Sequence, residues 1–379
     1  MTRSSGLRDD QPTSDERSGR VAGAGAEGDI VASRDAVGAA PGRTTSRRSV
    51  LRRVALVLLT VAVVFVPVLV GGAWWLVHRY TANVAGVPDV FAGLDEAARP
   101  PVAVGDAFTV LLVGSDVGAA GGTTGQAATT EAVASRSDVL MLLRVAGDRQ
   151  SASVVSIPRD SWVDVPGRGL NKINAAYAFG GPPLLIQTVE QLTDIRVDNF
   201  AVVDFAGFKG MTDALGGVDV QVSEAISFGD HRFERGLNHL DGDQALAYVR
   251  QHTELPRGDL DRVQRQQNYI RAMFAEVHDN GILRRPSQLD EFLLAFTSSV
   301  GVDDTLGDLD LVALAASLRE LRPGNIVFFT APVAGLGMEG DQSVVYLDDR
   351  VGDQMWQHMS DGTLNRDSAK FETLPAAPR

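Results

Sequence analysis

An uninterrupted run of 24 uncharged residues extends from Val54 to Val77. As an α-helix, a run of this length spans the roughly 30 Å hydrocarbon core of a bilayer. A cleaved signal peptide has an apolar core of only about 7–15 residues, followed by a small-residue cleavage site. Here the run ends in Trp74 and Trp75 and continues into His-Arg-Tyr, which is typical of a membrane–water interface. We therefore predict a transmembrane helix at 54–77; a cleaved signal peptide and a buried core helix are the alternatives.

Basic residues set the orientation of this helix, because flanks rich in Lys and Arg stay in the cytoplasm. Residues 1–53 contain ten Arg against seven Asp and Glu, and four of those arginines directly precede the run. Residues 1–46 are rich in Gly, Ala and Ser and lack apolar periodicity, so 1–53 is predicted to be a disordered cytoplasmic tail. The localisation that follows is a single-pass cell-membrane protein with an extracytoplasmic domain, where ATP is absent.

Charge and composition exclude several kinds of site. The formal net charge is -13, which argues against a nucleic acid partner. The chain has no cysteine, which excludes a disulfide framework and thiolate-bound metals. Its six histidines are scattered without an HExxH motif, so no zinc site is predicted. Neither a Walker loop nor a dinucleotide-binding fingerprint occurs.

Short apolar segments alternate with segments of helical periodicity beyond residue 107. This alternation predicts an α/β fold, an α/β/α sandwich around a mixed central sheet, in which functional groups gather at strand ends. We predict a linker at 78–106, the domain at 107–362 and a C-terminal tail at 363–379. Predicted strands include 108–113, 138–145, 152–157, 200–203, 218–222 and 326–329, and predicted helices include 182–194, 241–249, 259–278, 287–298 and 308–321.

The predicted helix at 259–278 carries polar groups in line with its apolar face. At about 100° per residue, Arg262 and Gln266 fall at about 300° and 340° from Asp259, on a stripe continued by Ile270 and Met273. A solvated face would lie opposite the apolar stripe. These groups therefore form either an internal salt-bridge network or one wall of a binding cleft, since buried charges need partners.

Further charges stand where apolar strands begin or end. Asp116 follows the first strand, Asp138 begins the second with Arg136 just before it, and Arg159 follows the third. Taken singly, each aspartate is typical of a turn or cap. Taken together, two carboxylates and several arginines suit a metal-bridged phosphate, because Mg²⁺ combines carboxylates with phosphate oxygens and guanidinium groups donate paired hydrogen bonds to phosphate.

Six segments in this order resemble the LytR-CpsA-Psr family over roughly residues 108–280. They are FTVLLVGSD (108–116), RSDVLMLLRV (136–145), VVSIPRDSWVDVPGRGLNKINAAYAFGGP (154–182), VDFAGFKGMTDALGGVDV (203–220), LDGDQALAYVRQ (240–251) and GDLDRVQRQQ (258–267). The resemblance implies a Mg²⁺-dependent phosphotransferase, with Mn²⁺ as the alternative ion. Such an enzyme moves a glycopolymer from a membrane-borne polyprenyl-pyrophosphate carrier to peptidoglycan, with the C6 hydroxyl of N-acetylmuramic acid as the acceptor.

The resemblance also implies roles for individual residues. Asp116 and Asp138 would bind the metal, and the catalytic set is Asp138, Arg159, Arg250 and Arg262. Substrate contacts are implied for Arg136, His252, Asp259, Arg265 and Gln266, with Arg265 ranked lower because it lies about 60° around the helix from Arg262.

One position departs from the family pattern, because His252 stands where a second arginine is common. A neutral imidazole would contact phosphate more weakly, and a protonated one would make that contact pH-dependent. Two other functions stay open. Water in place of the acceptor would make the chain a hydrolase of polyprenyl-pyrophosphate lipids, and a non-enzymatic envelope regulator is the third reading.

Overall fold

The computed structural model describes residues 72, 74–75, 77–115, 137–251, 257–279, 282, 285–318 and 320–374. Most of the predicted transmembrane run lies outside these ranges, as do the tail before it and Asp116, Arg136 and His252. Of the helices that fall within these ranges, none has both the length and the apolar composition to cross a bilayer.

The regular elements follow the alternation seen in the sequence. The strands, in chain order, are β1 (Ala85–Val87), β2 (Phe108–Ser115), β3 (Ser137–Val145), β4 (Ala152–Ser156), β5 (Trp162–Val165), β6 (Gly169–Lys172), β7 (Asn199–Asp204), β8 (Val218–Val222), β9 (Ile226–Phe228), β10 (His231–Phe233), β11 (Gly236–Leu240), β12 (Val300–Asp303), β13 (Ile326–Thr330), β14 (Val333–Glu339) and β15 (Gln342–Leu347). The helices are α1 (Ile173–Thr193), α2 (Phe205–Ala214), α3 (Gly242–Arg250), α4 (Asp259–Asp279), α5 (Pro286–Ser299), α6 (Asp308–Leu318) and α7 (Asp349–Ser360).

Seven of these strands form one sheet in the order β1-β12-β7-β2-β3-β4-β13. The pairs β1–β12, β2–β7 and β4–β13 are parallel, and the other neighbours are antiparallel. The predicted mixed central sheet is therefore confirmed. Because β3 and β4 are antiparallel, the start of β3 and the end of β4 meet at the same edge, which is where the predicted charges stand.

Helices pack against both faces of the sheet. On one face, Leu111 and Val155 share a core with Leu185 of α1 and Met355 of α7. On the other, Met141 and Phe328 pack with neighbours that include Ile270 of α4. A separate core joins α2, α3, α4 and β8 around the fully buried ring of Tyr269. The helix α4 therefore bridges both cores, and its first turn is held against the sheet edge.

An interruption in α1 and the start of α3 both have clear local causes. The helix α1 starts nine residues before Pro182 and is interrupted at Gly180 and Gly181, where Gly181 adopts a φ of 63°. Glycine reaches this region at little cost, and the prolines that follow cannot donate the hydrogen bonds of a continuous helix. The helix α3 begins at a capping box formed by Asp241 and Gln244, as the capping residue in the sequence predicts.

Both segments that flank the predicted domain also contribute to it. Within the segment interpreted as a linker, β1 pairs with β12, and Val90 is fully buried in the main core. Within the segment interpreted as a C-terminal tail, Leu364 is buried and the amide of Leu374 donates to the carbonyl oxygen of Phe328 at 3.0 Å. The sequence hides these contributions because each contact involves only a few residues.

Candidate active site

Three elements bring charged side chains to one edge of the sheet. Asp138 is the second residue of β3, Arg159 and Asp160 follow the end of β4, and Asp259 opens α4. The side chain of Gln267 holds these elements together, since its Nε2 donates to Ser156 Oγ at 2.9 Å and to the Phe329 carbonyl oxygen at 2.7 Å. The α4 helix is thereby tied to the ends of β4 and β13.

The charges form a chain of ion pairs. Arg159 donates to Asp138 and lies 3.7 Å from a carboxylate oxygen of Asp259. Asp259 in turn pairs with Arg262, three residues further along α4. A branch leads from Arg159 through Asp160, 3.7 Å away, to the Lys172 Nζ, which is 3.0 Å from Asp160. Three acidic and three basic groups therefore balance in this ion-pair chain.

Burying these charged groups is energetically unfavourable. Relative exposure of the side chains falls from 28% at Arg159 to 14% at Asp259 and 6% at Arg262. Among the described residues, the buried polar atoms without a hydrogen-bond partner include Arg159 Nε, Arg262 Nε and Asp259 Oδ2. Each such atom costs about 1–3 kcal/mol. Two buried N–H donors of guanidinium groups that have no hydrogen-bond partner could donate to an anion.

The same burial moves the pKa values of the cluster. Burial raises the pKa of the Asp259 carboxyl, and the nearby arginines offset only part of that rise. Burial also lowers the pKa of Arg262, despite the neighbouring Asp259. At Arg159 burial acts in the same direction, but the carboxylates of Asp138, Asp259 and Asp160 outweigh it and raise the pKa. Arginine is charged at neutral pH in every case.

The other predicted basic residues lie where α3 ends. The Arg250 guanidinium stacks 4.4 Å from the ring centroid of Phe205, at the start of α2. Arg265 donates to Gln251 and lies 5.8 Å from the ring centroid of Tyr248. Gln266, which shares the stripe of Asp259 and Arg262, is 7% exposed.

The structure thus joins Asp138, Arg159, Asp259 and Arg262 directly, while three predicted site residues lie outside the described ranges. Sequence reasoning missed Lys172 as a member of the ion-pair chain and Gln267 as the residue that ties α4 to the sheet. The only signal for Lys172 in the sequence was a single charged side chain next to the amide of Asn171. Gln267 lies about 80° from Asp259 around the helix, away from the polar stripe, so helical spacing gave no signal for it.

Comparison with known proteins identifies the family of this chain and several relatives. A family model described as the LytR_cpsA_psr family matches residues 92–361. The chain is 34% identical over 281 residues to cell wall biosynthesis protein LcpA of Corynebacterium glutamicum, covering 64% of this chain and 53% of LcpA. It is 33% identical over 232 residues to polyisoprenyl-teichoic acid–peptidoglycan teichoic acid transferase TagU of Bacillus subtilis, covering 60% and 71%.

Solved structures give the same fold. The crystal structure of B. subtilis TagV superposes with a TM-score of 0.55 at 24% identity, over 68% of this chain and 97% of TagV. A structure of TagT bound to LI-WTA superposes with a TM-score of 0.50 at 25% identity, over 69% and 90%. The chain spans about half the length of some curated relatives that it matches.

Proposed function

This chain belongs to the LytR_cpsA_psr family, and on that premise we propose that it is a phosphotransferase of cell-wall biogenesis. The donor is a glycopolymer on a polyprenyl-pyrophosphate carrier, and the acceptor is a hydroxyl of peptidoglycan, the C6 hydroxyl of N-acetylmuramic acid. The product is a phosphodiester link, and the carrier leaves as its monophosphate. The pyrophosphate bond of the donor supplies the driving force, so no nucleotide is required.

The observation that carries this proposal is the pair of unpartnered donors, Arg159 Nε and Arg262 Nε. In-line displacement at phosphorus depends on positioning and charge stabilisation more than on covalent help from the protein. Two guanidinium groups fixed by Asp259 provide both functions, because each can donate to a phosphate oxygen without a change in its carboxylate partner. The side chains of Arg250, Arg265 and Gln266 extend the proposed phosphate site toward α3. The family resemblance adds Arg136 and His252 as further phosphate contacts.

The charge balance of the site favours a divalent cation bound together with the pyrophosphate. The ion-pair chain is electrically balanced, so a pyrophosphate diester would bring two uncompensated negative charges into a partly buried site. Asp138, with Asp116, would hold Mg²⁺ or Mn²⁺, and the ion would neutralise that charge on the phosphate oxygens. Among the described residues no group of three or more His, Asp or Glu side chains is placed to hold a metal ion.

Attachment to the membrane belongs to the same proposal. The 54–77 run would hold the domain beside the bilayer that contains the carrier lipid, with the N-terminus in the cytoplasm and the domain outside. The residues that follow the run are fixed to the domain, since Arg79 and Tyr80 both donate to Asp290 of α5. Such a fixed junction would keep the proposed site at a constant position relative to the bilayer.

The decisive experiment incubates the full-length chain in nanodiscs with radiolabelled lipid donor, with and without peptidoglycan fragments. We expect label in the peptidoglycan and loss of transfer on addition of a metal chelator. Arg159→Ala should reduce transfer at least about 100-fold, as expected when a buried donor to a developing anion is removed. The matched control is Arg232→Ala, which removes a 73% exposed arginine.

The same experiment separates the alternatives. Release of free sugar phosphate without labelled peptidoglycan would replace transfer by hydrolysis. Full polymer attachment in cells that carry only Arg159→Ala or Asp138→Ala would refute an enzymatic role and favour a regulator.

A further inference from the structure

A shallow groove of about 390 Å³ lies beside the charged edge and takes no part in the function proposed above. Its walls come from the β5–β6 hairpin, the end of α1 and the β15–α7 junction. The polar and aromatic lining includes Trp162, Asp164, Gln191, Tyr346 and Asp349.

The hairpin turns one face toward this groove. Along β5, Val163 and Val165 are buried in the core, while Trp162 and Asp164 alternate to the outside. Lys172 of β6 is the cross-strand partner of Trp162, just as Leu170 is the partner of Asp164. Directly opposed residues point to the same side of a two-stranded sheet. The outer face therefore presents an aromatic ring, a carboxylate and an apolar side chain within a few ångströms, with a cation at one end.

The groove side chains are held in place before any ligand arrives. Gln191 Nε2 donates to Asp164 Oδ2 at 3.2 Å, and the Tyr346 hydroxyl donates to Glu339 at 2.7 Å. The Tyr346 ring lies over Gly337, where a Cβ would sit only 2.4 Å from a ring carbon. Prior ordering reduces the entropy cost of binding.

This combination of groups suits an uncharged sugar chain. The C–H face of a pyranose ring packs against an aromatic ring, and its hydroxyl and acetamido groups bond with carboxylates and amides. Asp164 and Asp349 give the lining negative charge, which disfavours a polyanionic polymer through like-charge repulsion. A shallow open groove also admits a polymer that continues at both ends, whereas an enclosed pocket does not.

The hairpin that forms one wall of the groove is also joined to the charged edge. Lys172, opposite Trp162, ion-pairs with Asp160 at 3.0 Å, and Asp160 is 3.7 Å from Arg159. The amide of Val345 in β15 also donates to the carbonyl oxygen of Asp160 at 2.9 Å. We infer that this groove binds the glycan strand of the acceptor, which places a sugar hydroxyl next to Arg159. This inference rests on the proposed phosphotransfer and names where the acceptor lies.

The test measures glycan binding without any donor. Full-length chain in nanodiscs is titrated with a tetrasaccharide of β-1,4-linked N-acetylglucosamine, and binding is followed by calorimetry and saturation-transfer NMR. We expect Trp162→Ala and Tyr346→Ala each to raise the Kd at least about tenfold. Leu237→Ala is the control, since Leu237 is 69% exposed on β11 outside the groove, and it should bind as the wild type does.

A second variant guards against misfolding. Leu170 is 61% exposed, so Leu170→Asp changes the groove without removing core packing, and it should weaken binding by a similar factor. Undetectable binding by the wild type, equal binding by all variants, or tighter binding of a glycerol-phosphate oligomer than of the tetrasaccharide would each overturn the inference. Absence of phosphotransfer with intact glycan binding would refute the proposed function and leave the groove assignment standing.

Discussion

Asp259 is the carboxylate on which both arginines of the site depend, so its removal gives a sharp prediction. Asp259→Ala deletes the ion pair to Arg262, whose side chain is only 6% exposed, and the 3.7 Å contact with Arg159. Breaking a buried pair by removing one partner costs about 3–5 kcal/mol. We expect the lower end, about 3 kcal/mol, because the variant also recovers the desolvation cost that raises the pKa of Asp259.

The loss of stability in Asp259→Ala can be measured by thermal unfolding. For a domain of this size, 3 kcal/mol lowers Tm by on the order of 6–12 °C. Thermal and urea unfolding of the full-length chain should both report it. Asp243→Ala is the matched control: Asp243 also lies in the first turn of a helix and pairs with a lysine, but it is 69% exposed. A surface pair of this kind contributes at most about 1 kcal/mol.

The double variant Asp259→Leu/Arg262→Leu tests the reasoning further. It should be more stable than Asp259→Ala, because removing both charges avoids an unpaired buried guanidinium. If Asp259→Ala melted within about 1 °C of the Asp243→Ala variant, the cluster would be solvated and the idea of a dry, ligand-ready site would be wrong.

Three further predictions concern a support of the site, the His239–Asp219 pair and the segment at residues 78–83. Gln267→Leu should lower the free energy of unfolding by about 1–3 kcal/mol, measured by urea titration. Gln264→Leu on the same helix removes only an exposed hydrogen bond to Glu372 and should have little effect. The hydrogen bond that the His239 ring donates to Asp219 raises the pKa of His239. The contribution of this pair to stability should therefore be complete below about pH 6.5 and disappear as the pH rises through the folded-state pKa; an equal pH dependence in His239→Gln would contradict this. Asp290→Asn should speed amide hydrogen exchange at residues 78–83 and leave the Kd for the tetrasaccharide unchanged. Unchanged exchange at these residues would show that the ion pair does not order this segment.

Much of the fold could be predicted from the sequence because its central strands carry strong signals. The segment 108–115 is apolar almost throughout, as expected for a strand buried on both faces. The capping residue Asp241 marked the start of α3 within one residue. The three-residue strand β1 gave no such signal, since its place in the sheet depends on pairing with β12 more than 200 residues later.

The residues of the candidate site could likewise be predicted only in part. Helical geometry places Asp259, Arg262 and Gln266 on one stripe from their spacing alone. The structure buries Arg262 and Gln266 and leaves 14% of the Asp259 side chain exposed. The link from Arg159 through Asp160 to Lys172 could not be predicted, because it depends on a hairpin whose strands have four residues each. Alternation over so few residues does not fix a register.

The charge balance of the cluster bears on what the site selects. A lone phosphate monoanion gains little from guanidinium groups that carboxylates already neutralise, since it must compete with Asp138 and Asp259. A pyrophosphate diester and a divalent cation together bring no net charge, so they can enter without leaving a buried charge uncompensated. The carboxylates then act as a filter as well as a support. They keep the arginines oriented, and under the proposed function they would favour a ligand that brings its own counter-ion, such as a metal-bound pyrophosphate.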